Sequence, residues 1–175
     1  LADGNSIVCS RIALAVGSRP RRIPVPNIDA PGVLELRTYA DSQAIKSAFD
    51  ASSSVLVIGG GFIGLEIAAT AAQLGKDVTV LEAEGRLMAR AVSPAVSAYF
   101  FGYLTALGAD IRLNARVAGI RVSGGKASGA DLADGTAIDA DCVISGTGVV
   151  PCTELAESAG LDIENGISVG ETMLT

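Results

Sequence analysis

The residues best suited to chemistry in this sequence are a cluster of glycines and an acid that follows them. Residues 59–64 match the pattern G-x-G-x-x-G, which is typical of a dinucleotide-binding turn between a strand and a helix. Its first glycine permits a tight turn, its second lets the backbone approach a pyrophosphate, and its third lets the helix pack closely on the strand. The predicted cofactor-binding residues of this turn are Gly59, Gly60, Gly61, Phe62, Ile63 and Gly64.

The residues on either side of the glycines predict a βαβ unit. Residues 55–58 are branched and apolar without alternation, as in a parallel strand that is covered on both faces. Apolar residues then recur at helical spacing as far as Leu74, and Gly75 ends the helix. The first turn of a helix has free N–H groups and the positive end of the helix dipole, so this turn is expected to bind the diphosphate.

Glu82 ends the second strand of this unit, residues 78–81. It follows the glycine motif by roughly the 20 residues expected for an acid that binds the adenosine ribose. A carboxylate there accepts hydrogen bonds from a free 2′-hydroxyl and repels a 2′-phosphate, which favours NAD(H) over NADP(H). Arg86 and Arg90 follow, and either can accommodate a phosphate, contact the adenine or remain solvated. We include Arg90 among the predicted cofactor-binding residues.

Two alternatives to a dinucleotide site remain open from these residues alone. A glycine-rich turn followed by an unrelated glutamate needs no ligand. An S-adenosylmethionine site also combines a glycine-rich first turn with an acid after the second strand, but it does not need the third glycine, Gly64. A dinucleotide site accounts for the three glycines of the pattern and for the acid.

The charge and hydropathy of the chain restrict its partners. The sequence has 19 acidic and 13 basic residues, a net charge of −6 and an aromatic content of 4%. This composition argues against a nucleic-acid partner. No uninterrupted apolar run reaches the ~18 to 20 residues needed to cross a bilayer, so no membrane segment is predicted.

The cysteines indicate neither a metal site nor a nucleophile. Cys9, Cys142 and Cys152 lie far apart in the sequence, which contains no histidine. Neither a zinc site nor a His-based triad is therefore predicted. The thiols are expected to be buried and free, in a protein of the reducing cytoplasm.

Further patterns predict the elements around this unit. Strands are predicted at residues 6–10, 12–16, 110–113, 141–145 and 166–169, and helices at residues 39–49, 94–107 and 153–159. The proline-rich stretch at residues 17–26 is predicted to be a linker. Alternating runs at residues 116–122, 126–132 and 136–139 predict an antiparallel meander. The aromatic residues of the 94–107 helix are predicted to pack in the core, with a stacking role as the alternative.

A second glycine-rich stretch, residues 146–148, follows the predicted strand at residues 141–145. Open α/β sheets bind ligands at the carboxyl ends of neighbouring strands, so Gly146 and Gly148 are predicted to face the nicotinamide half of the dinucleotide. The alternative is that this stretch is an ordinary turn after the strand and contacts no ligand. The patterns together predict an α/β fold, a Rossmann-like three-layer βαβ domain with a parallel sheet and a three-stranded antiparallel β-meander.

Several motifs together resemble one family. They are Ala-Val-Gly-Ser-Arg-Pro-Arg at residues 15–21, Leu-Arg-Thr-Tyr-Ala-Asp at 36–41, Gly-Gly-Gly-Phe-Ile-Gly-Leu-Glu at 59–66, Arg-Leu-Met-Ala-Arg at 86–90 and Gly-Val-Val-Pro at 148–151. In these motifs the chain is similar to the NADH:ferredoxin, putidaredoxin and rubredoxin reductases of oxygenase systems. These enzymes belong to the pyridine nucleotide-disulfide reductase superfamily and have the FAD/NAD(P)-binding fold.

The resemblance implies that the chain is the NADH-binding domain of a flavin-dependent reductase. In such proteins hydride passes from NADH to FAD, and electrons pass on to an iron–sulfur carrier of the ferredoxin or rubredoxin type. Glu66 matches the family's glutamate near the flavin and the nicotinamide and is the catalytic residue that the resemblance implies. The alternative for Glu66 is an ordinary surface acid.

The resemblance also implies how the domains are organised. Residues 1–26 correspond to connecting strands of an incomplete FAD domain, residues 27–165 to the NAD(H)-binding domain, and residues 166–175 to a return strand. The chain is therefore expected to be a fragment, inactive alone, whose open strand edges predict a homodimer. Two alternative functions remain. The chain could be a regulatory NAD-binding module similar to apoptosis-inducing factor, or a domain of a disulfide reductase.

Overall fold

The computed structural model describes residues 4–175. The helices in this range are α1 (Tyr39–Ala51), α2 (Phe62–Gln73), α3 (Pro94–Ala106) and α4 (Glu154–Ser158). The strands in this range are β1 (Ser18–Pro20), β2 (Val33–Leu34), β3 (Ser54–Ile58), β4 (Asp77–Leu81), β5 (Asp110–Arg112), β6 (Val117–Ser123), β7 (Lys126–Leu132), β8 (Ala137–Asp139), β9 (Cys142–Ser145) and β10 (Val149–Pro151).

The chain divides into two compact units. One unit contains Pro20–Val149, and the other contains the described residues up to Arg19 together with Val150–Thr175. The first unit holds the parallel sheet, the meander and helices α1 to α3. The second unit holds α4, which is a short helix of 5 residues.

The sheet of the larger unit has five strands in the order β2-β9-β3-β4-β5, and each of the four pairs is parallel. Every residue of β9 is buried, and so are the last four residues of β3. Such burial explains why these strands are continuous apolar runs rather than alternating ones. The βαβ unit predicted from the glycine motif is β3-α2-β4, in which α2 follows β3 after a turn of three residues.

Three layers enclose two apolar cores. One core lies between the sheet and helices α1, α2 and α3, and it includes Ile45, Ile67 and Leu104. The other core lies between the sheet and the meander β6-β7-β8, and it includes Leu56, Ile120 and Ile138. Since side chains alternate across a strand, neighbouring residues such as Leu56 and Val57 supply opposite cores. This architecture confirms the predicted α/β fold with its parallel sheet and antiparallel meander.

Local sequence signals explain where the helices begin. Thr38 is the N-cap of α1, and its hydroxyl accepts a hydrogen bond from Asp41 N–H at 3.2 Å. The Asp41 carboxylate accepts in return from Thr38 N–H at 2.7 Å, which completes a capping box. At α3, Ser93 is the N-cap and Pro94 is the first helical residue.

The strands predicted near the two ends of the chain were wrong. Residues 6–10 and 12–16 form no strand in the described range, whereas β1 lies inside the predicted linker and pairs with β10. Of the strand predicted at residues 166–169, only an isolated bridge between Ile163 and Ile167 forms. β2 was not predicted because it is only two residues long. An apolar run becomes a strand only where a partner strand accepts its backbone hydrogen bonds, and local pattern does not reveal that partner.

The predicted burial of the aromatic residues and cysteines was wrong in part. Leu104 of α3 is buried, but Tyr99 and Tyr103 are exposed, and their rings stack at 6.4 Å between centroids. Cys142 is buried as predicted, whereas Cys9 is exposed. Burial, followed by the charge of Asp141, raises the pKa of the Cys142 thiol to about 11, so this thiol is unreactive at neutral pH.

No helix in the described range is long and apolar enough to span a membrane.

Candidate functional site

A cleft of about 650 Å³ opens at the carboxyl ends of β3, β4 and β9, and all its lining residues belong to the unit Pro20–Val149. The predicted site residues in its lining are Gly59, Gly60, Gly61, Phe62, Ile63, Glu82, Arg90, Gly146 and Gly148. Adjacent parallel strands end at the same edge of a sheet, which is why residues far apart in sequence meet here. The volume is in the range of ligand sites in proteins, roughly 300–1,000 Å³.

Gly59 forms the tight turn that begins the glycine-rich segment. Its φ is +107°, a conformation that residues with a side chain rarely adopt. A Cβ at this position would lie 2.4 Å from the carbonyl oxygen of Gly146, so the segments after β3 and β9 touch through backbone atoms. The N–H of Gly59 donates to the carbonyl of Leu81 at 2.8 Å, which joins the turn to β4.

Gly64 lets α2 begin directly against that turn. A Cβ on Gly64 would lie 2.1 Å from the carbonyl oxygen of Gly59 and 3.3 Å from Val57 Cγ1. Because this glycine is buried in the packing between helix and strand, it does not line the cleft. Its position matches the role that the sequence pattern assigns to the third glycine.

Gly61 has a different environment from the other glycines of the motif. It is the N-cap of α2 with φ −83°, and a Cβ built on it would have no atom within 4 Å. The fold therefore tolerates a side chain here, whereas a ligand resting on the first turn of α2 would meet that side chain. The cap makes no side-chain hydrogen bond, so the first-turn N–H groups have no side-chain cap. These features fit a diphosphate group.

Glu82 is held in the cleft by two backbone N–H groups. Its Oε2 accepts from Gly60 N–H at 2.7 Å, and its Oε1 accepts from Glu84 N–H at 2.8 Å. Each carboxylate oxygen has a further lone pair, so the group can still accept from ligand hydroxyls. The acid therefore has a defined orientation at the end of β4.

Gly60 makes room for that carboxylate. A Cβ at residue 60 would lie 2.9 Å from Glu82 Oε2 and 2.7 Å from Leu87 Cδ2. Sequence reasoning named Gly60 but gave it no role, because the pattern G-x-G-x-x-G leaves this position free. The contact with Glu82 could not be read from the motif.

The two arginines beyond Glu82 lie in different environments. The Arg86 guanidinium donates to the carbonyls of Val92 at 2.9 Å and Ala89 at 2.5 Å, and Arg86 does not line the cleft. Arg90 is exposed and lines the cleft. Met88 N–H donates to the carbonyl of Gly60 at 2.9 Å, so the loop that carries Arg90 is anchored on the glycine turn. Arg86 is therefore a structural residue of this loop.

The segment after β9 forms the opposite wall of the cleft. Gly146 N–H donates to the carbonyl of Ile58 at 2.8 Å, and Gly148 has φ +98°. The Thr147 hydroxyl donates to the carbonyl of Arg21 at 2.6 Å, and Arg21 N–H donates to the carbonyl of Gly148 at 2.9 Å. Arg21 thus lines the cleft, although it lies in the stretch predicted to be a linker.

Ser145, the last residue of β9, is a lining residue that sequence reasoning missed. It is buried, and its position in an apolar strand had suggested only a strand end. One signal in the sequence could have identified it. Ser145 is a polar residue at the end of an apolar strand, where an α/β sheet binds its ligands. Glu66, by contrast, is exposed on α2 and does not line the cleft. Its catalytic role stays a prediction.

The three-layer fold, the glycine turn and the acid at the end of β4 define a dinucleotide-binding domain of the α/β class. The chain belongs to the pyridine nucleotide-disulphide oxidoreductase family, whose sequence profile matches residues 1–175.

The chain is also similar to named reductases. The chain is 45% identical over 175 residues to rhodocoxin reductase of Rhodococcus erythropolis, covering 100% of this chain and 41% of that protein. It is 39% identical over 180 residues to putidaredoxin reductase CamA of Pseudomonas putida, covering 100% of this chain and 43% of that protein. The chain thus spans less than half the length of the curated relatives it matches.

Solved structures show the same fold. A ferredoxin reductase from Rhodopseudomonas palustris matches with a TM-score of 0.90 and 40% identity, over 95% of this chain and 41% of that chain. The covalent complex of putidaredoxin reductase with putidaredoxin matches with a TM-score of 0.89 and 39% identity, over 97% of this chain and 42% of that chain. The comparisons confirm the family that the sequence motifs resemble.

Proposed function

We propose that this chain is the NADH-binding domain of a flavin-dependent reductase that delivers electrons to a ferredoxin- or rubredoxin-type carrier. When bound, NADH supplies the hydride and FAD accepts it. The orientation of the Glu82 carboxylate beside an unobstructed glycine turn carries the proposal. It is supported by the names of the relatives, which include reductases of rhodocoxin, putidaredoxin and rubredoxin.

Different residues of the cleft bind different parts of the dinucleotide. The first turn of α2, with Gly61 as its cap, provides N–H donors and a positive dipole for the diphosphate. Glu82 accepts hydrogen bonds from the adenosine ribose and repels a 2′-phosphate, which selects NAD(H) over NADP(H). Gly146 and Gly148 border the nicotinamide half because β9 lies next to β3 on the side away from β4. The protein thereby orients the nicotinamide for hydride transfer.

Four further expectations belong to the whole protein. Residues 1–26 and 166–175 connect to an FAD-binding part, which is supported by the separate unit that residues 4–19 form together with residues 150–175. Glu66 acts near the flavin, as the resemblance implies. The protein is cytoplasmic. It forms a homodimer through exposed apolar side chains such as Ile7, Val8 and Ile12.

A calorimetric titration of the purified protein with NADH and NADPH tests the dinucleotide site. We expect NADH to bind more tightly, and Glu82→Gln to weaken NADH binding by about 10- to 100-fold, since hydrogen bonds to a charged group are the stronger kind. The same variant is expected to reduce the preference over NADPH. Asp50→Asn, which removes an exposed acid on α1, is the control.

Two results would contradict this function. Equal affinity of the unaltered protein for NADH and NADPH would show that Glu82 does not select between the two dinucleotides. Failure to bind either dinucleotide would show that the cleft is not a dinucleotide site. Rapid NADH-dependent reduction of an iron–sulfur carrier by the complete protein would support the reductase. Slow turnover with every carrier would instead favour the regulatory alternative.

A further inference from the structure

Ser145 carries a buried polar atom that the fold leaves unused. The residue is 5% exposed, and its Oγ has no hydrogen-bond partner in the described part of the chain. A buried hydroxyl without a partner destabilises a protein, so such groups are rare in native structures. This arrangement points to a partner that is not part of the protein.

The position of Ser145 shows where that partner lies. Ser145 pairs with Ile58 in the register of β9 and β3, and both residues line the cleft. Alternation along β9 places Ser145 on the same side of the sheet as Val143, which packs toward the meander. Ile23 and Val117 line the cleft and pack against the same core as Val143. The hydroxyl thus lies on the side of the sheet where these apolar residues border the cleft.

The neighbouring hydroxyl in the cleft, that of Thr147, already has a hydrogen-bond partner within the protein. Thr147 Oγ1 donates to the carbonyl of Arg21 at 2.6 Å, so it closes the wall of the cleft. The Ser145 hydroxyl, in contrast, makes no hydrogen bond within the described part of the chain, so its donor and acceptor are not used by the protein. Of these two hydroxyls, Ser145 is the one available to a ligand.

The order of the strands indicates which part of a dinucleotide reaches Ser145. Glu82 follows β4, the glycine turn follows β3, and Ser145 ends β9, in the sheet order β9-β3-β4. A dinucleotide with its adenosine at Glu82 and its diphosphate on the glycine turn has its nicotinamide at β9. A flat ring with one carboxamide suits a part of the cleft where one unpaired hydroxyl lies near apolar side chains.

We propose that Ser145 is a cofactor-binding residue whose hydroxyl forms a hydrogen bond with the carboxamide of the bound nicotinamide, an inference that rests on the proposed function. The residue then has opposite effects in the two states of the protein. Without ligand its unpaired hydroxyl lowers stability, and with ligand the same hydroxyl contributes to affinity.

The experiment compares Ser145→Ala with the unaltered protein in two measurements. Calorimetric titrations with NADH and with ADP-ribose, which lacks the nicotinamide, separate the two halves of the ligand. We expect Ser145→Ala to bind NADH about 3- to 10-fold more weakly, the effect of one neutral hydrogen bond, and to bind ADP-ribose unchanged. Thermal unfolding without ligand is expected to show a Tm about 2–4 °C higher for Ser145→Ala, because an unpaired buried group has been removed.

Ser123→Ala, which removes a serine hydroxyl on the exposed end of β6, is the matched control and should change neither quantity. Ser145→Cys, which keeps a polar side chain but only a weak donor, should lose NADH affinity in the same direction. Unchanged NADH affinity in Ser145→Ala, an equal loss for NADH and ADP-ribose, or a lower Tm would overturn the proposal. If the unaltered protein binds neither ligand, the proposed function fails instead, so the two failures are distinguishable.

Discussion

The glycines of one motif have different physical roles at the scale of single residues. Gly64 is a packing residue, since a Cβ there would lie 2.1 Å from the carbonyl oxygen of Gly59. Gly61 is a binding residue in the proposed function, because the fold leaves open space where its side chain would be. The same residue type is thus required once by the protein and once by the ligand.

Gly64→Ala and Gly61→Ala are therefore expected to separate stability from binding. Gly64→Ala should lower the free energy of unfolding by at least about 2 kcal/mol, because the backbone must move to admit the methyl group. Gly61→Ala should change the Tm by no more than about 1 °C while weakening NADH binding at least about tenfold. Thermal unfolding and calorimetric titration of both variants provide the two measurements. A large fall in Tm for Gly61→Ala would show that this glycine, too, is structural.

At the scale of elements, one acid joins the two strands that carry the walls of the cleft. The Asp141 carboxylate accepts from Ser54 N–H at 3.0 Å, from Ser53 N–H at 2.9 Å and from the Ser54 hydroxyl at 3.0 Å. These hydrogen bonds connect the start of β9 with the start of β3. The N–H of Ser54, followed by that of Ser53, lowers the pKa of Asp141.

Asp141→Asn is expected to destabilise the protein in a pH-dependent way. A carboxylate whose pKa is lower in the folded state contributes stability above its unfolded pKa, about 3.9, and loses that contribution as the pH falls through the folded pKa. The variant should therefore melt about 2–4 °C below the unaltered protein at pH 7, and the difference should shrink below about pH 4. Thermal unfolding across this range is the measurement.

Asp77→Asn is the control, because Asp77 occupies the start of the neighbouring strand β4. A Tm difference for Asp141→Asn that stayed constant from pH 7 into the acid range would assign the effect to packing rather than to the carboxylate charge.

At the scale of the whole molecule, the cleft and both apolar cores lie within a single unit. Every lining residue and every residue of the two cores belongs to Pro20–Val149. The described residues of the other unit, 4–19 and 150–175, supply none of them. In the proposed function, the dinucleotide therefore contacts one unit only.

A protein trimmed to residues 20–149 is therefore expected to fold cooperatively and to bind NADH within about threefold of the longer chain, because the cores supply most of its stability. Thermal unfolding and NADH titration of the two proteins side by side test this. A non-cooperative melt, or NADH binding only in the longer chain, would show that the cleft depends on the second unit.

The sequence by itself determined the βαβ unit, the meander and the positions of the cleft-lining glycines. These depend on local periodicity and on backbone conformation, which neighbouring residues specify. Only the tertiary structure decided that Gly60 makes room for Glu82 and that the Ser145 hydroxyl is left without a partner. It also decided that β1 forms inside a proline-rich stretch, and that Arg86 binds its own loop rather than a ligand. These outcomes depend on contacts between residues that are distant in the chain or on the path of a loop, which periodicity does not encode.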